Sequence, residues 1–231
     1  MNKNLSVIIT LYKTPEKYLK NLNQYKDYKI YIFDQATNKN NSKLISKYLK
    51  SNFTYFHSKK NIGLPRATNF LISKVNTNYF LFTQPDIKIN KASIKRLFIT
   101  ITKSKNAIFV GPKFVKSNLI SKNNNSKIIK FTKKLDASLM MCSSKKVRKI
   151  GFFDEDYFLY WEDKDLMERV NKSNFKMIYE KNSFAFHESS KSSSNNILTL
   201  LIRRINFKFG EYLFEYKHKK VKIIKIFRNI F

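Results

Sequence analysis

A chain of 231 residues suits one large domain, or a domain with a short appendage, and its 42% hydrophobic and 15% aromatic content excludes wholesale disorder. Its formal net charge of +30 points either to a polyanionic partner or to a composition rich in lysine, asparagine and isoleucine and poor in arginine. The single cysteine, Cys142, excludes an intramolecular disulfide and a zinc site built on cysteines.

In chain order, residues 5–10 form an apolar run of strand length. Thr14-Pro15 reads as a helix start, with the helix running to about Gln24. A second strand, residues 28–34, ends on Asp34. Residues 42–50 read as a helix, 53–57 as a strand, 65–73 as a helix and 79–83 as a strand. Asn90 caps a helix from 91 to about 103, and 107–110 is a fifth strand. This alternation predicts a mostly parallel central sheet flanked by helices, with ligands outside the carboxyl ends of the strands. That rule makes Thr10-Leu11-Tyr12, Asp34-Gln35 and Gln84-Pro85-Asp86 neighbours around one crevice; equally, Asp34 and Asp86 are residues common in turns.

Beyond residue 110 the pattern is less regular. Residues 121–126 are a polar low-complexity loop, 127–131 and 137–142 are strand-like, and 144–150 and 162–171 are helical. The chain opens with a short polar lead into the first strand, unlike a secretory signal, and no apolar run approaches the roughly 20 residues that cross a bilayer. The expectation is a cytoplasmic protein, or one peripheral on the cytoplasmic face of the inner membrane, with one domain over 1–196 and a basic helical tail over 197–231. The tail carries nine Lys or Arg and two acidic residues, interleaved with apolar side chains. It fits either an anionic membrane surface or a helix pair packed on the domain.

Seven of the sixteen acidic residues lie between Asp154 and Glu168, a clustering that composition does not account for in so basic a chain. Aromatic residues surround them, suited either to stacking on sugars or to a core. Glu162, Asp163 and Asp165 open a helix, where carboxylates either serve chemistry or complement the helix dipole.

Residues 151–179, GFFDEDYFLYWEDKDLMERVNKSNFKMIY, resemble the acceptor-side signature of inverting family 2 glycosyltransferases of GT-A fold, the nucleotide-diphospho-sugar transferase fold. The rhamnosyltransferase-like branch of bacterial surface-polysaccharide synthesis is the most similar. Four further blocks resemble the family in order: SVIITLYKTPEKYLKNL (6–22), NIGLPRATN (61–69), FLFTQPDIKI (80–89) and FHESSKS (186–192). The chain departs from the family pattern in three places. Gln84 stands where a first carboxylate is usual, Pro65-Arg66 where Gly-Gly is common, and Phe152 in place of one glycine.

The resemblance implies transfer of a sugar from dTDP-rhamnose or a UDP-hexose to a glycan or lipid-linked acceptor. It implies Asp163 as general base with Glu162 tuning it, and a divalent cation, Mg2+ or Mn2+, on Asp86 and His187. It also implies donor contacts from Thr10, Tyr12, Asp34, Asn61, Gly63, Arg66 and Asp86, and acceptor contacts from Asp154, Glu155 and Trp161. Asn69 is expected to brace a loop. A nucleic-acid-binding protein and a non-catalytic relative are the alternatives; the acidic cluster would repel a phosphate backbone, so no nucleic-acid partner is expected.

Overall fold

A computed structural model describes residues 4–35, 38, 40–49, 52–116, 129–188 and 197–219. The polar loop at 121–126, Ser192 and the apolar tail positions Ile223, Ile224, Ile226 and Phe227 lie outside them.

The first half alternates strand and helix as expected. β1 (Leu5–Tyr12), α1 (Glu16–Leu19) with a 3₁₀ turn (Lys20–Tyr25), β2 (Lys29–Gln35), α2 (Ser42–Leu49), β3 (Phe53–Ser58), α3 (Leu64–Lys74) and β4 (Tyr79–Thr83) follow one another. β5 (Ile87–Ile89), α4 (Lys91–Lys103), β6 (Ala107–Val115), β7 (Ile129–Thr132), β8 (Leu139–Ser143), α5 (Ser144–Ile150), α6 (Glu162–Asn171), β9 (Lys176–His187) and α7 (Ile197–Lys219) complete it. One nine-stranded sheet runs in the order β3-β2-β1-β4-β8-β6-β9-β5, with β7 also on β9. The four strands β3, β2, β1 and β4 are parallel. Antiparallel pairing enters at β8, against both β4 and β6, so the sheet as a whole is mixed.

Both faces of this sheet are covered, and β1 shows how. Val7, Ile9 and Leu11 enter a core with α4, α2 and the 3₁₀ turn, while Ile8 enters the opposite core with α3, α5 and α6. Alternate residues of a strand point to opposite faces, so a continuous apolar run is what a doubly covered strand requires. Each fully buried side chain of this kind contributes roughly 1.5–3 kcal/mol relative to exposure.

Three local features differ from the sequence reading. The helix after Pro15 tightens to a 3₁₀ turn after one turn. Its Asn21 and Gln24 side chains are drawn to β5, Asn21 donating to Pro85 O (3.0 Å) and Gln24 to Ile87 O (2.8 Å). β5 and β9 were not anticipated. β9 carries Glu180, Lys181 and Asn182 at an irregular register with β6, and the polar stretch breaks the alternation that announces a strand.

Candidate functional site

Three parallel strands, β1, β2 and β4, end together, and their carboxyl ends open onto one cleft of about 350 Å³. Thr10, Tyr12, Gln35, Gln84, Pro85 and Asp86 line it from below. The crevice expected from the strand order is therefore present. Asp34, one residue before Gln35, turns aside: its Oδ2 accepts from Tyr55 Oη (2.7 Å) and Asn41 Nδ2 (2.9 Å).

A second wall comes from the loop before α3. Asn61 and Gly63 line the cleft, with Asn61 Oδ1 accepting from Gly63 N at 3.0 Å and Gln35 Oε1 accepting from Ile62 N at 3.0 Å. Gly63 has φ +86°, and a Cβ there would sit 2.8 Å from the Phe158 carbonyl oxygen. Only glycine allows both that backbone conformation and that approach. The same carbonyl accepts from Leu64 N at 3.1 Å, which fixes the Phe158–Leu159–Tyr160 wall against α3. Asn69 braces this loop, donating to Phe153 O (2.8 Å) and Glu155 Oε1 (3.0 Å).

Asp86 and His187 meet at the end of β9. Asp86 is 1% exposed; its Oδ2 lies 3.5 Å from His187 Nε2, and its Oδ1 is buried without a hydrogen-bond partner. Burial lowers the His187 pKa, but the hydrogen bond and charge of Asp86 outweigh it, so the imidazole is held above its ordinary value. A buried carboxylate oxygen lacking a donor, beside an imidazole, suits a small divalent cation. Gln84 also lines the cleft and brings no charge to this pair.

The acidic motif begins where the backbone is strained. Tyr160 (φ 71°) and Trp161 (φ 69°) are both left-handed, which costs bulky residues on the order of 1–3 kcal/mol each. Glu162 and Asp163 then open α6. Burial, followed by the Asp163 charge, pushes the Glu162 carboxyl up to about 8, and its Oε2 has no hydrogen-bond partner. Burial also raises Asp163, against the pull of Lys164, with Asp136 adding to the rise. Asp136 acts on His187 in the same direction, so its charge is felt at both ends of the site. Asp136 accepts from Ser138, whose carbonyl holds Gln84 N at 3.2 Å.

The profile described as Glycosyl transferase family 2 matches residues 6–167. This chain belongs to glycosyl transferase family 2. The low-salt glycan biosynthesis hexosyltransferase Agl10 of Haloferax volcanii is 25% identical over 198 residues, covering 75% of this chain and 64% of that protein. The crystal structure of S. aureus TarS matches with a TM-score of 0.63 at 15% identity, over 81% of this chain and 37% of TarS. The mannosyltransferase PcManGT of Pyrobaculum calidifontis, in complex with GDP-Man and Mn2+, matches with a TM-score of 0.63 at 12% identity, over 87% of this chain and 60% of that one. The chain thus spans between about a third and two-thirds of the length of these relatives. These likenesses agree with the GT-A fold class.

In this family 2 chain the cleft gathers Thr10, Tyr12, Asn61, Gly63, Asp86 and His187. Glu162 and Asp163 follow directly on the Phe158–Trp161 turn but are not in the lining. Arg66 is also outside the lining; its side chain is 61% exposed, with Nε 4.0 Å from Glu155. Asp154 is bridged by Lys217 at 2.6 Å, and the Trp161 ring meets Phe207, Phe214 and the Lys164 ammonium. Sequence reasoning placed Gln35 at the crevice but gave it no role, and it missed Asp136, Thr199 and Arg203. Gln35 lines the cleft as the strand-end rule expects; the missed residues come together only in the folded chain.

Proposed function

We propose that this family 2 chain is an inverting glycosyltransferase that moves a sugar from a nucleoside-diphosphate donor to a hydroxyl of a glycan or lipid-linked glycan. The observation that carries the reading is the Asp86–His187 pair at the floor of a cleft built from the carboxyl ends of β1, β2 and β4. The relatives support the donor class: TarS has been solved with UDP-GlcNAc and PcManGT with GDP-Man. A dTDP-deoxyhexose or a UDP-hexose is the donor we favour for this chain.

Thr10, Tyr12, Asn61 and Gly63 are proposed to hold the nucleotide end of the donor. Asp86 and His187 would hold a divalent cation, Mg2+ or Mn2+, which when bound offsets the charge of the diphosphate. Asp163 is the proposed base. The acceptor oxygen bonds to the anomeric carbon as that carbon's bond to the diphosphate oxygen breaks; Asp163 takes the hydroxyl proton, and the nucleoside diphosphate leaves with the electron pair. A single in-line displacement inverts the anomeric centre. A positioned base contributes about 10²–10⁴-fold. Glu162, protonated near neutral pH, keeps a second negative charge away from Asp163.

We also propose that α7 rests on an anionic lipid surface. Leu198, Leu201, Ile202, Ile205 and Phe209 recur at helical spacing and are exposed. Residues 220–231 add four Lys or Arg and no acid. Basic residues near such a surface contribute about 1 kcal/mol each. Among the described residues no helix is long and apolar enough to cross a membrane.

Incubation with a panel of UDP-, dTDP- and GDP-sugars and a mixed glycan acceptor tests the reading. Transfer from at least one donor, abolished by a chelator and restored by manganese, is expected. Absence of both transfer and donor hydrolysis across the panel would refute it.

A further inference from the structure

The cleft has lining residues that none of the sequence blocks includes. Thr199, Ile202 and Arg203 of α7 line it together with Asp86 and His187. In a chain with 46 Lys and Arg, Arg203 is the one such residue, among the described residues, that reaches the lining.

Its placement is built rather than incidental. Thr199, Arg203, Gly210, Phe214 and Lys217 recur at intervals of four, seven, four and three, which puts them on one face of α7. That face is docked from Gly210 onward. Gly210 is the buried residue of the helix, and a Cβ there would fall 2.9 Å from Tyr160 O and 3.0 Å from Trp161 Cδ1. Phe214 packs on Trp161 with ring centroids 5.3 Å apart. Lys217 bridges Asp154 and Asp156 at 2.6 Å each, and His218 Nε2 lies 2.7 Å from Asp165 Oδ1. Three acids of the motif therefore clasp the end of α7, the helix that brings Arg203 to the cleft.

We propose that Arg203 is the cation that meets the donor diphosphate, completing from α7 a site whose floor has one carboxylate, Asp86, where Gln84 supplies none. The proposal rests on the donor class given above. A planar guanidinium offers paired donors matched to phosphate oxygens, and it stabilises the charge that grows on the leaving group as the anomeric bond breaks. The clasping acids then act as positioning residues for Arg203.

The test uses the full chain and three probes, UDP, dTDP and GDP, each compared with its nucleoside, by calorimetry and ligand-observed NMR in magnesium buffer. Arg203→Ala should weaken the diphosphate that the wild type binds at least about tenfold, the size expected for a lost bond to a charged group, while leaving the nucleoside unaffected. Arg203→Lys should recover part of the loss. Arg204→Ala, an equal charge change at an exposed position of the same helix, should leave the diphosphate affinity unchanged. Equal diphosphate affinity in Arg203→Ala and wild type overturns the Arg203 assignment and leaves the donor reading standing. A parallel loss of nucleoside and diphosphate, or an equal loss in Arg204→Ala, also overturns it. If the wild type binds none of the three diphosphates, the donor reading itself falls, and the assignment with it.

Discussion

At the scale of single residues, two effects compete over Glu162 and Asp163. The N-terminus of α6 favours negative charge there by about 0.3–1 kcal/mol per group at exposed positions. Burial opposes it and wins, since both carboxyls are raised and Glu162 reaches about 8. The stability consequence follows from proton binding. The folded state keeps the Glu162 proton over a range in which the unfolded chain, with its ordinary value of 4.5, has lost it. Stability from this group is thus complete below about pH 4.5 and falls as pH rises, levelling off above about 8. Urea unfolding of Glu162→Gln at pH 5 and pH 8.5 should show the variant gaining on the wild type at the higher pH, by on the order of 2–4 kcal/mol. A gap independent of pH would mean that Glu162 is ionised in the folded protein throughout.

At the scale of elements, the α3 start shows how tightly the cleft walls are coupled. Gly63→Ala combines a strained φ with a Cβ 2.8 Å from Phe158 O, so a loss of roughly 1–3 kcal/mol is expected in thermal unfolding, with weakened donor binding. A variant as stable as the wild type would show that the Phe158 wall yields freely. β1 to β4, and α2 to α6, were legible because long apolar runs and 3.6-residue spacing are local signals. The strand ends around the cleft followed from the rule for parallel sheets. β9 was not legible, because its polar centre is satisfied by tertiary bonds: Glu180 Oε2 accepts from Thr100 Oγ1 at 2.6 Å, and Ser183 donates to Ser93 O at 3.1 Å. Arg203 was hidden for the same kind of reason. Its place in the cleft lining goes with a clasp between α7 and a motif 53 to 63 residues earlier, and nothing in its neighbours announces that contact.

At the scale of the whole molecule, three acids of the 154–168 cluster are spent on holding α7. Asp154, Asp156 and Asp165 are engaged by α7 itself, which answers part of the ambiguity of the basic tail: one face of α7 packs on the domain. The opposite face, with Leu198, Leu201 and Ile205 exposed, is the one proposed for lipid. Co-sedimentation with phosphatidylserine vesicles should therefore fall for a Leu201→Glu/Ile205→Glu variant, and fall for the wild type as salt is raised. Undiminished binding by the double variant would exonerate that face. Such a surface would set the cleft mouth, where Ile202 is both exposed and part of the lining, beside a lipid-linked acceptor.

The central claim is that Asp163, which follows directly on the Phe158–Trp161 turn at the cleft wall, takes the proton of an acceptor that attacks a nucleotide sugar held in the cleft. Single-turnover transfer by Asp163→Asn, with donor affinity measured on the same sample, tests it most directly. Unchanged donor affinity with transfer slowed by about 10²–10⁴-fold is the predicted result. Transfer at the wild-type rate, or a loss of donor affinity large enough to account for slower transfer, would contradict it.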